Sequence, residues 1–181
     1  MVTTTGQEGS DGRLTHVDEH GKAHMVDVTG KPPTRRVAEA RCRVRTSAEL
    51  PALLGGPAAV AELIESARFS GILAAKKTST LIPLCHPIRL DGVTVEVEGR
   101  PDGFGIVAVA EITERTGVEM EALTACAAAA LVLIQPILGA DADGSIEELT
   151  LWRKTGGRSG TWRRSGDGAM LGDDPASVSR G

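Results

Sequence analysis

VTVEVEGRPDGFGIVAVAEITERTGVEMEALTACAAAALVLI, residues 93–134, contains two runs of period two and then one long apolar run. Val93, Val95 and Val97 alternate with Thr94, Glu96 and Glu98; Ile106, Ala108, Ala110 and Ile112 alternate through the second run. Successive side chains of a strand point to opposite faces, so each run predicts a strand with one buried face. The intervening GRPDG supplies a proline that fixes φ and glycines that accept positive φ, which joins the two as a hairpin. A helix is predicted from near Val118. Its segment ALTACAAAALVLI (122–134) is apolar nearly all round, so it must be buried against a sheet or another chain. Pro136 is expected to end or kink that helix after Gln135.

Upstream, RVAEARCRVRT (36–46) alternates Ala38, Ala40, Cys42 and Val44 with Glu39, Arg41, Arg43 and Arg45, another strand with one buried face. Its arginine row reads as a solvated face or an oligomer contact. Ser47 is placed to cap a short helix that ends at Gly55-Gly56. Pro57 opens a longer helix to about Ala75, with Val60, Leu63, Ile64, Ala67 and Gly71 on one stripe. Gly71 costs about 1 kcal/mol relative to Ala in a helix, which points to close approach of a partner element. Pro83 and Pro87 keep 76–90 irregular. A short hairpin is predicted over 14–29, and a last strand over 146–152. Strand, helices, two strands, helix, strand reads as an antiparallel sheet with helices packed on one face, an α+β domain. That domain is assigned to 14–160. The Gly/Ser/Thr-rich stretch 1–13 and the basic, then polar stretch 161–181 read as disordered tails, and 1–13 and 166–181 are expected to be deletable at little cost.

The 181 residues suit one domain. With 20 Lys+Arg against 24 Asp+Glu, the net charge of −4 argues against a nucleic-acid or membrane-surface binder. No apolar run is read as a membrane span, and the polar start MVTTTGQEGSDGR has no signal-peptide core, so a cytoplasmic protein is expected. Phe69, Phe104, Trp152 and Trp162 are the only aromatic residues, too few for base-stacking platforms. Cys42, Cys85 and Cys126 are widely spaced and fit neither a disulfide framework nor a closed zinc site. His16, His20 and His24 recur every fourth residue, but Gly21 interrupts the run, so it reads as a polar hairpin edge and no metal site is assigned.

Three segments could carry chemistry. In KKTSTLIPLCHP (76–87), two prolines stiffen a loop around His86, the side chain that titrates nearest neutrality. The bland alternative is a structural histidine; neighbouring Cys85 reads as packing. In TGVEMEALT, Glu119 and Glu121 stand at a helix start, as paired acid/base groups or as complements to the helix dipole. RKTGGRSGTWRR (153–164) sets five basic residues around glycines with no acid, either an anion-binding arm or a basic tail. It lacks Walker A order.

Together LTHVDEHGKAHMVDVTGK (14–31), ARFSGILAAKKTSTLIPLCHP (67–87), RTGVEMEALTA (115–125) and KTGGRSG (154–160) resemble the MoaC family, the cyclic pyranopterin monophosphate synthases of molybdenum-cofactor biosynthesis. The resemblance implies a ferredoxin-like subunit in a homohexamer, a trimer of dimers with active sites at dimer interfaces. It implies a lyase that converts (8S)-3′,8-cyclo-7,8-dihydroguanosine 5′-triphosphate to cyclic pyranopterin monophosphate and pyrophosphate. No cofactor is implied beyond Mg²⁺ accompanying the triphosphate. Carried over by position, His86, Glu119 and Glu121 are the catalytic set: His86 moves protons and the two glutamates hold the guanine-derived ring. Lys31, Arg36, Lys76, Lys77, Cys85, Met120, Lys154 and Arg158 form the substrate-binding set, with Arg68 and His24 behind them.

The same resemblance marks three departures: Val60, Gln135 and Leu138 stand where the family carries Lys, Asp and Lys. Gln135 can hydrogen-bond but not carry charge, and Leu138 cannot neutralise phosphate. One lost transition-state contact typically costs 10²–10³ in rate. Two expectations follow: a working synthase, or an impaired paralogue that serves as a nucleotide-binding or scaffold subunit or acts on another nucleotide.

Overall fold

The computed structural model describes residues 20–157 and 160–165. Period-two alternation builds three long strands: β1 (Thr34–Arg45), β2 (Gly92–Arg100) and β3 (Gly103–Glu114). β4 (Ser145–Thr155) and the two-residue β5 (Trp162–Arg163) follow in the chain. The sheet order is β2-β3-β1-β4-β5, and every neighbouring pair is antiparallel. Between strands lie α1 (Leu50–Leu54), α2 (Pro57–Ala75), α3 (Thr78–Leu81) and α4 (Glu119–Leu138). The order β1-α2-β2-β3-α4-β4, with β1 and β3 at the centre, is the ferredoxin-like split βαβ arrangement expected.

The core lies between the sheet and the two long helices. Ala38, Ala40, Cys42 and Val44 of β1 and Ile106, Ala108, Ala110 and Ile112 of β3 face Ala122, Ala125, Cys126, Ala129 and Leu133 of α4. Small residues on both sides let helix and sheet approach closely. Gly103 closes the hairpin at φ 138, and a Cβ there would overlap the Val44 carbonyl. Gly71 serves the close approach expected of it: a Cβ at that position would lie 2.9 Å from the carbonyl oxygen of Ala125 and 3.1 Å from Val95. α2 and α4 run antiparallel, since Gly71 meets Ala125 while Ser47, before α1, bonds Asp141 beyond α4.

Several expectations are corrected. Over residues 20–29 there is no strand, only a bridge at Ala23, because these side chains are mostly exposed and bury no apolar face; the rest of that predicted hairpin, with 1–13 and His16, lies outside the described residues. Ser47 does not cap α1: its hydroxyl and amide go to Asp141 at 2.9 and 2.7 Å, and Glu49 takes the N-cap position without a side-chain bond. A one-turn helix, α3, forms inside the stretch expected to be irregular. α4 runs through Pro136 to Leu138, because fully buried Ile137 anchors the last turn in the core. By length and composition α4 could cross a membrane, contrary to the reading of the sequence, but one face is packed into the domain core. Where a disordered tail is expected from 161, Trp162 and Arg163 pair with Lys154 and Arg153. Residues 166–181 lie outside the described residues.

Candidate active site

Three chain segments meet at one end of the sheet. Arg36 shares the parity of Ala38, Ala40 and Cys42, so it lies on the helix-facing side, beyond the start of α4. Lys154 pairs with Ala38 across β1 and β4 and therefore faces the same way. Glu119 opens α4. Arg36, Gly117, Glu119, Lys154 and Gly156 line one cleft.

Within it, Lys154 Nζ lies 3.2 Å from Glu119 Oε1, both side chains about 30% exposed. The Arg36 guanidinium is fixed by backbone: Nε donates to the Glu114 carbonyl and Nη2 to the Arg115 carbonyl, each at 3.0 Å. Its cationic face is held in place without a carboxylate in either bond. Two glycines shape the walls. A Cβ at Gly117 would overlap the Glu119 carboxylate; at Gly156, φ 88, it would overlap the Arg35 carbonyl. Sequence reasoning missed Gly117, although the TG pair just before a helix start was a usable signal.

Glu121, one turn face away, is buried. Burial pushes its carboxyl up to about 6, the bond to its own backbone amide lowers it, and the Glu119 charge raises it again. A carboxyl poised there both holds and releases a proton near neutrality. Cys85 is half-buried, its thiol raised first by burial and then by the Glu121 charge, which places the 82–86 loop beside the start of α4. A raised thiol suits packing and not nucleophilic attack. His86 follows Cys85 in that loop, half-buried, two residues after Leu84, which adopts a left-handed φ of 69°. Met120 is partly exposed at the first turn of α4.

The structure thus gathers Arg36, Glu119 and Lys154 in the cleft, with Glu121 and Cys85 beside it. It leaves Lys76 and Lys77 exposed just past the C-terminal end of α2, and Lys31 exposed before β1; none of the three lines the cleft. Arg68 is a clamp elsewhere, held by Glu65, Glu96 and the Val97 carbonyl, and not a support to the site. His24 is exposed. Arg158 lies outside the described residues. Among the described residues no group of three or more His, Cys, Asp or Glu side chains converges as metal ligands.

The sequence model of the MoaC family matches residues 25–157. The chain belongs to the MoaC family. It is 45% identical to the cyclic pyranopterin monophosphate synthase of Streptomyces avermitilis over 90% of this chain and 95% of that one. It is 49% identical to the protein of the same name from Thermomicrobium roseum, over 86% and 96% of the two chains. It is 47% identical to cyclic pyranopterin monophosphate synthase 2 of Mycobacterium tuberculosis, over 84% and 92%.

The three positions that the resemblance singled out, Val60, Gln135 and Leu138, share one place. Val60 is in the first turn of α2, and Gln135 and Leu138 are in the last turn of α4. Because those helices are antiparallel, all three sit at the same end of the pair. Sixteen helical residues separate Gln135 from Glu119, about 24 Å along the axis. Val60 is packed against the core; Gln135 and Leu138 are exposed.

Proposed function

We propose that this chain is a cyclic pyranopterin monophosphate synthase, converting the cyclo-dihydro-GTP triphosphate to cyclic pyranopterin monophosphate and pyrophosphate. The observation that carries the reading is the Glu119–Lys154 pair beside buried Glu121, with Arg36 fixed in the same cleft. Rearranging the ring system moves protons, and Glu121, its carboxyl near 6, is suited to that transfer. His86, half-buried in the neighbouring loop, is the second proton carrier. Glu119 holds the guanine-derived ring, with Met120 and Cys85 packing at its edge. Expelling pyrophosphate develops negative charge, which Lys154 meets on leaving Glu119 and Arg36 meets without moving. Lys31, Lys76, Lys77 and Arg158 supply the remaining positive charge, some from a neighbouring subunit.

We assign no resident cofactor; Mg²⁺ would travel on the phosphate oxygens of the substrate. The assembly is a homohexamer built as a trimer of dimers, in the cytoplasm. Exposed Phe69, Leu73, Leu131 and Leu138 on the outer helix layer support an assembly that covers them.

The second reading, an impaired nucleotide-binding or scaffold subunit, is favoured by Val60, Gln135 and Leu138 at one helix end. Pyrophosphate release from the cyclo-dihydro-GTP substrate decides between them. Turnover above a heat-treated control supports the synthase. Absence of turnover with calorimetric binding supports the impaired subunit, and absence of both supports the scaffold. In the impaired case, Val60→Lys with Gln135→Asp, Pro136→Met and Leu138→Lys restores activity; an unchanged rate removes that explanation.

A further inference from the structure

Cys42 and Cys126 are 84 residues apart in the chain, yet their sulfurs lie 3.2 Å from one another. Cys42 is in mid-β1, on the face that meets the helices; Cys126 is on the face of α4 that meets the sheet. Neither is exposed to solvent. Cys126 donates its S–H to the Cys42 sulfur, and the Cys42 sulfur lies 3.8 Å from the Cys126 carbonyl as donor. Elsewhere the sheet and α4 meet mostly through alanines and branched aliphatics, so packing alone does not call for two thiols face to face.

We propose that Cys42 and Cys126 are an oxidative modification site, a dithiol that closes to an intramolecular disulfide and ties β1 to α4. A disulfide needs its sulfurs about 2.05 Å apart. Closure therefore takes about 1 Å of relative movement, which side-chain torsions and a small helix shift supply. The co-reactant is a small two-electron thiol oxidant, either a low-molecular-weight disulfide or an azo compound such as diamide. Two S–H bonds break and one S–S bond forms. The two electrons and two protons pass to the oxidant, giving two thiols from a disulfide or a hydrazine from diamide.

Cys126 is held protonated, by its bond to Cys42 first and by burial second, so the reaction waits on transient separation of α4 from β1. Its rate rises with pH. β1 begins beside Arg36 and α4 begins at Glu119, so the link joins two elements that wall the cleft. Half-buried Cys85 is the internal control, a third free thiol outside the pair.

The test treats full-length native protein with diamide, quenches in acid, and alkylates with iodoacetamide in urea. Intact and peptide masses are then read. The expected result is a fall from three alkylated thiols to one, at Cys85, with the Cys42 and Cys126 peptides joined and reduction restoring all three. A Cys85→Ser variant should give the same joined pair. The proposal is overturned if native protein keeps Cys42 and Cys126 alkylatable over times that oxidise the urea-unfolded chain. It is equally overturned if the link that forms pairs Cys85 with either of them.

Discussion

Glu121 and Asp141 are both carboxylates tied to the ends of α4, and their environments drive them in opposite directions. Burial disfavours the charged form of Glu121, raising it from an ordinary 4.5 to about 6. A raised carboxyl stabilises the fold below its unfolded value and loses that contribution as pH rises through 6. After discounting for solvent at the cleft, the cost of charging it is about 1–2 kcal/mol. Glu121→Gln should therefore lower turnover by about 10²–10³-fold. The same variant should be more stable than the wild type to urea at pH 8 by about 1–2 kcal/mol, with the gap closing near pH 4. Asp141 is lowered from 3.8 to about 2, chiefly by the Ser47 amide, then by the Thr46 and Ser47 hydroxyls. Its contribution is present above its unfolded value and is lost as pH falls through 2. Asp141→Asn should be less stable at pH 7, with melting curves that converge with those of the wild type between pH 4 and pH 2.

At the level of elements, Gly71 decides how α2 meets α4. Ala would favour the helix by about 1 kcal/mol. The added Cβ, however, would press on the Ala125 carbonyl at 2.9 Å and on both γ-methyls of Val95. Gly71→Ala should destabilise by about 1–3 kcal/mol by overpacking, measured by chemical denaturation. The strands and long helices were legible in the sequence because each carries its own period: β1, β2, β3 and α2 all fall within a few residues of their expected spans. The ends of elements were less legible. The final turn of α4 survives Pro136 because Ile137 is buried, and Ser47 forgoes its cap for Asp141, 94 residues away. Neither partner is visible in a local window.

For the whole molecule, one protomer gathers only part of the positive charge a triphosphate needs: Arg36 and a Lys154 already paired with Glu119. Phe69 and Leu131 are exposed, at 70% and 60%, and the proposed hexamer would cover them. Sedimentation of the full-length chain should give a single hexameric species; a monomer at assay concentration would remove the shared-site reading. Of the candidate site, Glu119, Glu121 and Lys154 were legible because they stand in distinctive motifs, and Arg36 because the resemblance names it. Lys31, Lys76 and Lys77 carry the same charge and the same resemblance, yet only the fold shows that they stand outside this protomer's cleft.

By itself the sequence determined the order and type of the four long strands and two long helices, their buried faces and the family, since period and motif are written locally. Only the tertiary structure decided which end of the sheet becomes the cleft, that Cys42 lies against Cys126, and that Val60, Gln135 and Leu138 share one helix end. Those depend on contacts between residues far apart in the chain, set by how sheet and helices pack, and no local pattern encodes them.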